Sequence, residues 1–453
     1  MQSIFKAYDI RGIVGSELTI DLAYKIGFGL AVKVFAGKCP IVVSHDARTH
    51  SLDITESLIK GLNQGGCSTI SIGLASTPMN YWANVHLKAE GSVQVTASHN
   101  GPKYNGFKVS GIMASPIGLD SGLKEVEDFI ETHSFEQNAV NNSQQNTIKN
   151  DLLIDYLDFM KQFIDTSNRK LKIVIDAGNG MAGHFLPAFK ELLGDKAEII
   201  PLFWELDGNF PNHPPDPMKE ENLVILKEKI KKDGADFGVA FDGDADRCVF
   251  VDENGSFISS DLIVALLAKD FLQQYPKQTI LYDLRSSAVV KEVIEENGGI
   301  PLAGRVGHSF MKKAMKDNHS VFGGELSGHY YFKDCFYTDS GLMALIKVIN
   351  ILSSDNNSKL SNIIKPFKKY FSTNEISFKV NNTSQIVKLI ENTYSVDALE
   401  THYLDGLSIK YKDWWFNLRQ SNTEPLLRLT LESVSEQICK QKLIEITNLI
   451  KNI

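Results

Sequence analysis

Cysteine is scarce. The chain has five in 453 residues (Cys39, Cys67, Cys248, Cys335 and Cys439), and none forms a CxxC spacing. An odd, scattered set excludes a disulfide framework and points to reduced thiols in a cytoplasmic protein. Long apolar runs are missing too. The longest aliphatic stretch, "LIVALLA" at 262–268, is far short of the roughly 20 residues that a membrane span needs, so no membrane association is expected. Nor is there a surplus of positive charge. The formal net charge is −8 with Lys and Arg scattered, whereas a nucleic-acid binder would show a basic stripe. The first residues, "MQSIFKAYDIRG", carry Lys6, Asp9 and Arg11 and hold no apolar core, so a secretory leader is not expected. No obligate protein partner is evident.

Against these absences, the composition is that of an ordinary globular protein, with 43% hydrophobic and 23% charged residues. The length is too great for one core, so several domains are expected. Short β-type runs alternate with helical patterns: "IVVS" (41–44), a helix in which Ile54, Leu58, Ile59 and Leu62 share a face, "TISIGLA" (69–75), then "GSVQVTAS" (91–98). The alternation returns at 171–180, 197–203, 237–251 and 279–287. It implies α/β units with mixed or parallel sheets. The Asn/Gln-rich stretch 137–150 has no period and the polar "SSDNNS" (353–358) reads as a loop. From 371 the style changes, and 407–433 reads as two strand-like runs around a turn before a C-terminal helix. The expected domains are 1–150, 151–254, 255–370 and a smaller α+β unit at 371–453.

Four polar loops carry chemistry. In "TASHN" (96–100), Ser98 follows a strand on what reads as an exposed turn before Gly101-Pro102. A nucleophile paired with His99 is one reading, although neighbours in a strand seldom face each other. A helix cap is a second, but "GPKYNGF" does not read as a helix. A phosphate-carrying hydroxyl is a third. In "FDGDADRC" (241–248), Asp242, Asp244 and Asp246 alternate. Such carboxylates suit a hard cation such as Mg²⁺, completed by a phosphate oxygen that Arg247 would also hold. An EF-hand would need Gly at its sixth position, which is Arg247 here. In "GGELSGHYYF" (323–332), Glu325 and Ser327 would lie on one side of an extended chain and suit vicinal sugar hydroxyls. In "RQSNTEP" (419–425), Arg419, Ser421, Asn422 and Thr423 suit a phosphate dianion.

"TASHN", "DGDADR", "GELSG" and "RQSNTEP", in this order and spacing, resemble the α-D-phosphohexomutases. The resemblance runs from "FKAYDIRG" (5–12) to the end of the fourth domain, and is strongest to the phosphomannomutase/phosphoglucomutase branch. It implies four domains around a central cleft, three of them related mixed α/β units and the last a C-terminal α+β domain. It implies an isomerase that interconverts mannose 1-phosphate and mannose 6-phosphate, and the glucose phosphates. Ser98 would be the phosphoserine, and Asp242, Asp244 and Asp246 would hold Mg²⁺ together with its phosphate. Arg247, His99 and Asn100 would line the same place, with Lys108 and His308 as general acid and base. Tyr8, Arg11, Arg285 and Arg305 would bind the phosphosugar substrate beside Glu325, Ser327, Arg419, Ser421, Asn422 and Thr423. Arg48 matches a cleft position. A hexose 1,6-bisphosphate would be activator and intermediate. Two departures stand out: Gly101 replaces the family's usual Pro, and "RVGH" replaces "KTGH", so Arg305 keeps the charge but cannot act as a titrating base. A phosphoglucosamine mutase and a catalytically silent phosphosugar sensor remain as alternatives.

Overall fold

The structure is a computed structural model that describes residues 4–135, 147–165, 169–354, 357–373, 375–380, 382–420 and 426–451. Among these, the strands form four sheets. In the first, Gly91–Val95, Ile41–His45 and Thr69–Leu74 run parallel, and Tyr104–Ser110 adds antiparallel to Gly91–Val95. The second sets Phe237–Phe241 parallel to Leu171–Asp176 and antiparallel to Cys248–Asp252. The third sets Phe322–Gly324 parallel to Thr279–Asp283 and antiparallel to Tyr330–Phe332. All three sheets therefore share one device: a parallel strand turns back through a short loop into an antiparallel partner. Those three loops are 96–103, 242–247 and 325–329. Each polar motif of the first three domains occupies the same topological position, where a sheet changes direction and backbone groups are left to bind something.

The strands are apolar because both faces are covered. Phe237–Phe241 and Cys248–Asp252 are buried throughout, and each large apolar side chain so placed contributes roughly 1.5–3 kcal/mol. "LIVALLA" lies inside the helix Ser260–Gln274, packed in the core. One apolar cluster runs from Val42 and Trp82 through Phe185 and Phe250 to Leu342, so the first three domains share a core. The helices Ile20–Gly29 and Ser51–Gln64 cross closely enough that a Cβ at Gly61 would lie 2.0 Å from the Tyr24 carbonyl oxygen. No helix among the described residues is long and apolar enough to cross a membrane, and all five cysteines are free.

The fourth sheet is antiparallel and has its own core, built from Phe378, Ile390, Leu418, Leu429 and Ile446. The stretch 407–433 holds three strands rather than two: Leu407–Lys410, Trp414–Gln420 and Leu426–Ser433. The bend at Tyr411–Asp413 carries no glycine or proline and so escapes a turn search. The aperiodic stretch 137–150 also differs from expectation, because Thr147–Lys149 forms an edge strand beside Thr69–Leu74. Three residues are too few for a period to show. The fourth domain meets the third through polar contacts. Glu432 accepts from Ala288 N (2.9 Å), at the start of the helix Ala288–Glu296, and Asp405 Oδ2 accepts from Val306 N at 3.1 Å.

Candidate active site

The loops converge on one cleft of about 520 Å³. Ser98 is not on an exposed turn; its relative exposure is 1%. The sequence hides this because the packing comes from other domains. Its φ is +49°, in the left-handed region, at a cost of about 1–3 kcal/mol that the surroundings must hold in place. Arg48 does much of that holding. Its guanidinium donates to the carbonyls of Ser98 (2.8 Å), Asn100 (2.7 Å) and Gly101 (2.7 Å), and pairs with Asp46 at 2.9 Å. Arg48 is thus buried behind the loop and not at the cleft surface. Gly101 has open space where a Cβ would stand.

Ser98 Oγ donates to Asp242 Oδ2 at 2.8 Å and lies 3.3 Å from His99 Nδ1. The left-handed turn at Ser98 brings the two neighbours within reach, which an extended chain would not. Burial, with Arg247, Arg11 and Lys108 nearby, pushes His99 well below the usual imidazole range. Ser98 therefore faces an acceptor carboxylate supplied by a loop 144 positions away.

The three aspartates are fully buried. Each offers an oxygen within 4.8 Å of the others. Asp244 accepts from Thr77 Oγ1 at 2.5 Å, and Thr77 N donates to the Asp244 carbonyl at 3.0 Å. Thr77 opens the helix Thr77–His86, which Ser76 caps. Asp244 Oδ1 and Asp246 Oδ1 are buried with no hydrogen-bond partner. Burial and the two neighbouring carboxylates raise the pKa of Asp242 well above its usual value. Three clustered anions with unsatisfied oxygens require positive charge, and an all-oxygen donor set fits a hard divalent cation. Lys108 supplies one charge: its Nζ lies 2.6 Å from Asp244 Oδ2 and also bonds Asp246. Burial opposes a charged Lys108, but the three aspartates outweigh it and raise its pKa.

The second and third domains lock their loops together. Arg247 and His329 form a β-bridge, and Cys248 N donates to the Gly328 carbonyl at 3.1 Å. Glu325 and Ser327 both line the cleft, on a turn closed by Gly328 at φ +84° rather than on an extended chain. Glu325 accepts from Gly307 N at 2.9 Å and from the Tyr331 hydroxyl, and His329 Nδ1 lies 3.3 Å away. Burial would raise its pKa, but His329, Tyr331 and Arg285 bring it to about 2, so it stays a hydrogen-bond acceptor. His308 begins the helix His308–Asp317. Burial, Lys312 and Lys108 push it well below its usual pKa, leaving a neutral ring with an unpartnered Nδ1.

Tyr8 packs edge-on against His308 at 5.6 Å, joining the first domain to the third across the cleft. Arg11 donates to Asn100 Oδ1 at 2.6 Å and pairs with Asp9. Arg285 and Arg419 also face the cleft, while Arg305 does not line it; its exposed guanidinium sits over the Phe310 ring at 4.2 Å. Ser421, Asn422 and Thr423 lie outside the described residues. His329 is a cleft residue that sequence reasoning missed, although "GELSGH" contains it. It touches Ser327 Oγ (2.9 Å) and Asp246 Oδ1 (3.5 Å), and burial and Arg247 are outweighed by Asp246 and Glu325, so its pKa rises to about 9. Thr77 stands in no motif and had no sequence signal, while Asp9 lies within "FKAYDIRG" without having been singled out.

Comparison with known proteins agrees across the whole chain. Residues 2–137, 154–255 and 259–370 match the alpha/beta/alpha domains I, II and III of phosphoglucomutase/phosphomannomutase, and 375–446 match its C-terminal domain. The chain is 38% identical over 452 residues to phosphohexose mutases of Xanthomonas campestris, covering 99% of each. It is 38% identical to a phosphomannomutase of Vibrio cholerae, covering 99% of this chain and 98% of that one. A crystal structure of a phosphoglucomutase/phosphomannomutase family protein from Burkholderia thailandensis superposes with a TM-score of 0.89 at 32% identity, covering 100% and 98% of the two chains.

Proposed function

The chain belongs to the phosphoglucomutase/phosphomannomutase family and is a phosphohexomutase, and from that premise we propose that it interconverts mannose 1-phosphate and mannose 6-phosphate, and the glucose phosphates, by way of Ser98. The carrying observation is the contact between Ser98 Oγ and Asp242 Oδ2, 2.8 Å long, at the edge of a buried three-aspartate cluster.

The residues divide the work as follows. Ser98 Oγ carries the phosphoryl group. The free sugar hydroxyl attacks its phosphorus, the P–Oγ bond breaks, and the hydroxyl proton passes to His308 as the base. Lys108, which lines the same cleft, hands a proton to the departing Oγ. The product of this half-reaction is the hexose 1,6-bisphosphate. It turns over in the cleft and the steps run in reverse on its other phosphate. Phosphoryl transfer depends chiefly on charge neutralisation and alignment. Asp242, Asp244 and Asp246 would hold Mg²⁺, which supplies that neutralisation when bound; Arg247 adds to it. Arg285, Arg419 and the 421–423 segment grip the non-reacting phosphate. Glu325 and Ser327 hold two ring hydroxyls. The five free cysteines fit a reducing, cytoplasmic setting.

The test mixes protein with mannose 1-phosphate, Mg²⁺ and a trace of hexose bisphosphate, and follows mannose 6-phosphate. Glucose 1-phosphate, which differs only at C2, is expected within about two orders of magnitude in kcat/KM, since one neutral hydrogen bond is worth ~0.5–1.5 kcal/mol. Galactose 1-phosphate, altered at C4, should be much poorer because it leaves Glu325 or Ser327 unpaired. Equal turnover of the galactose and mannose phosphates would refute the role of that pair. Turnover of glucosamine phosphate in preference to both would make the protein a phosphoglucosamine mutase.

A further inference from the structure

Glu375 stands at the junction of the third and fourth domains and belongs to none of the four motifs. It precedes the strand Ile376–Lys379, and its side chain is 18% exposed. Three guanidinium groups meet on its carboxylate. Arg285 Nη1 lies 3.1 Å and Arg419 Nη2 2.8 Å from Oε2, and Arg428 Nη1 lies 3.0 Å from Oε1. All three arginines line the cleft, whereas Glu375 itself does not. They come from separate places: Arg285 follows the third-domain strand Thr279–Asp283, and Arg419 and Arg428 face each other across the fourth-domain pair Trp414–Gln420 and Leu426–Ser433. Arg285 is also held from behind by Asp283, with Nε at 3.0 and 2.9 Å from its two oxygens.

Three guanidinium groups brought together repel one another unless an anion sits among them. Glu375 is that anion. Its two oxygens take one edge of each guanidinium and fix where the others point. The Nε of Arg419 remains buried with no partner. Asp283 pairs with Arg285 and Glu375 with all three, and the three arginines line the cleft while these two carboxylates do not. A planar fork loses little freedom on binding an anion once it is already oriented.

We propose that Glu375 is a positioning residue for substrate binding, gathering Arg285, Arg419 and Arg428 from two domains into one cradle for the non-reacting phosphate of the hexose phosphate. The proposal rests on the phosphohexomutase reading above. The same phosphate end must be held in both half-reactions and while the bisphosphate turns over. A loosened cradle therefore weakens ground state and transition state alike, which raises KM more than it lowers kcat. It also lets the bisphosphate escape before it is used, and each escape leaves Ser98 without its phosphoryl group.

The experiment compares Glu375→Gln, Glu375→Asp and wild type in the mannose 1-phosphate assay, at several concentrations of added hexose 1,6-bisphosphate. Losing charge-assisted bonds to the arginines should raise KM roughly tenfold to hundredfold for Glu375→Gln, with a much smaller fall in kcat at saturation. Half-maximal activation should require at least about tenfold more bisphosphate, in line with the same loss. Glu375→Asp, which keeps the charge, should recover part of both, and it decides the matter alone if the glutamine variant does not fold. A KM within about twofold of wild type for both variants overturns the inference, as does a fall confined to kcat or a KM that decreases because the carboxylate competes with phosphate. Wild-type protein with no mutase turnover defeats the functional reading instead, so the two failures are distinguishable.

Discussion

Gly243 lies between the first two aspartates, with its Cα against the backbone of Ser98. A Cβ built there would stand 2.5 Å from the Ser98 carbonyl oxygen and 3.4 Å from Pro215 Cβ. Ordinary contact begins near 3.4 Å, so Gly243→Ala must separate the two loops by about 0.9 Å. Neither side can yield without loss. The Ser98 carbonyl is fixed by Arg48 at 2.8 Å, and the Gly243 carbonyl accepts from Met181 N at 2.9 Å. The same movement would stretch the bond from Ser98 Oγ to Asp242 Oδ2 from 2.8 Å to beyond hydrogen-bond range. Misplacement of a reacting group by about 1 Å can cost ~10²-fold in rate, and overpacking a tight site typically costs ~1–3 kcal/mol of stability. The expected result is kcat reduced about a hundredfold in the mannose 1-phosphate assay, with a folded protein by circular dichroism and a lowered denaturant midpoint. Phosphorylation of Ser98 by added bisphosphate, followed by peptide mass spectrometry, should slow to the same degree. A kcat within about twofold of wild type would show that the contact between the two loops does not set the geometry for transfer.

Ser98→Ala should abolish turnover, and peptide mass spectrometry of purified wild-type protein should find phosphate on Ser98; full activity in the variant, with phosphate elsewhere, would remove the serine from the reaction. Excess chelator should inactivate the wild type and Mg²⁺ restore it, and Asp244→Asn should lose most activity, because each carboxylate neutralised weakens a hard-cation site; activity unchanged in chelator would refute the metal role of the cluster. His213 gives a stability prediction away from the chemistry: its Nε2 lies 3.2 Å from the buried carboxylate of Asp176. Burial lowers its pKa, but Asp176 and the Pro214 carbonyl outweigh that, and the folded-state value is raised above the usual 6.5 or so. A raised cation pKa stabilises the fold fully below about pH 6.5 and the effect fades as pH rises through the folded value, so the melting temperature of wild type minus that of His213→Asn should be largest in acid and shrink towards alkaline pH. A constant or inverted difference would show that the pair is not charged when folded.

Some of this protein is local and could be read directly. The parallel-type strands announce themselves because strands buried on both faces must be continuously apolar, and the helix Ser51–Gln64 because its apolar residues recur on one face. The acidic loop at 242–246 is legible because three like charges so close need a cation, a requirement that holds wherever the loop sits. Other features depend on what the chain places nearby. Ser98 looks exposed in sequence and is buried because the second domain's loop lies over it. Its acceptor Asp242 is 144 residues away, and no periodicity encodes such a distance. Arg48 resembles a cleft residue until its four backbone acceptors turn it inward. Arg305 has a phosphate-binder's charge, yet the helix that follows turns it onto Phe310. Glu375 carries no local signal, since its meaning comes from three arginines on three other strands or loops. Sequence fixes which groups are present and how neighbours along the chain alternate. Which groups share a space follows from how four sheets pack, and charge, hydrogen bonding and burial act through space rather than along the chain.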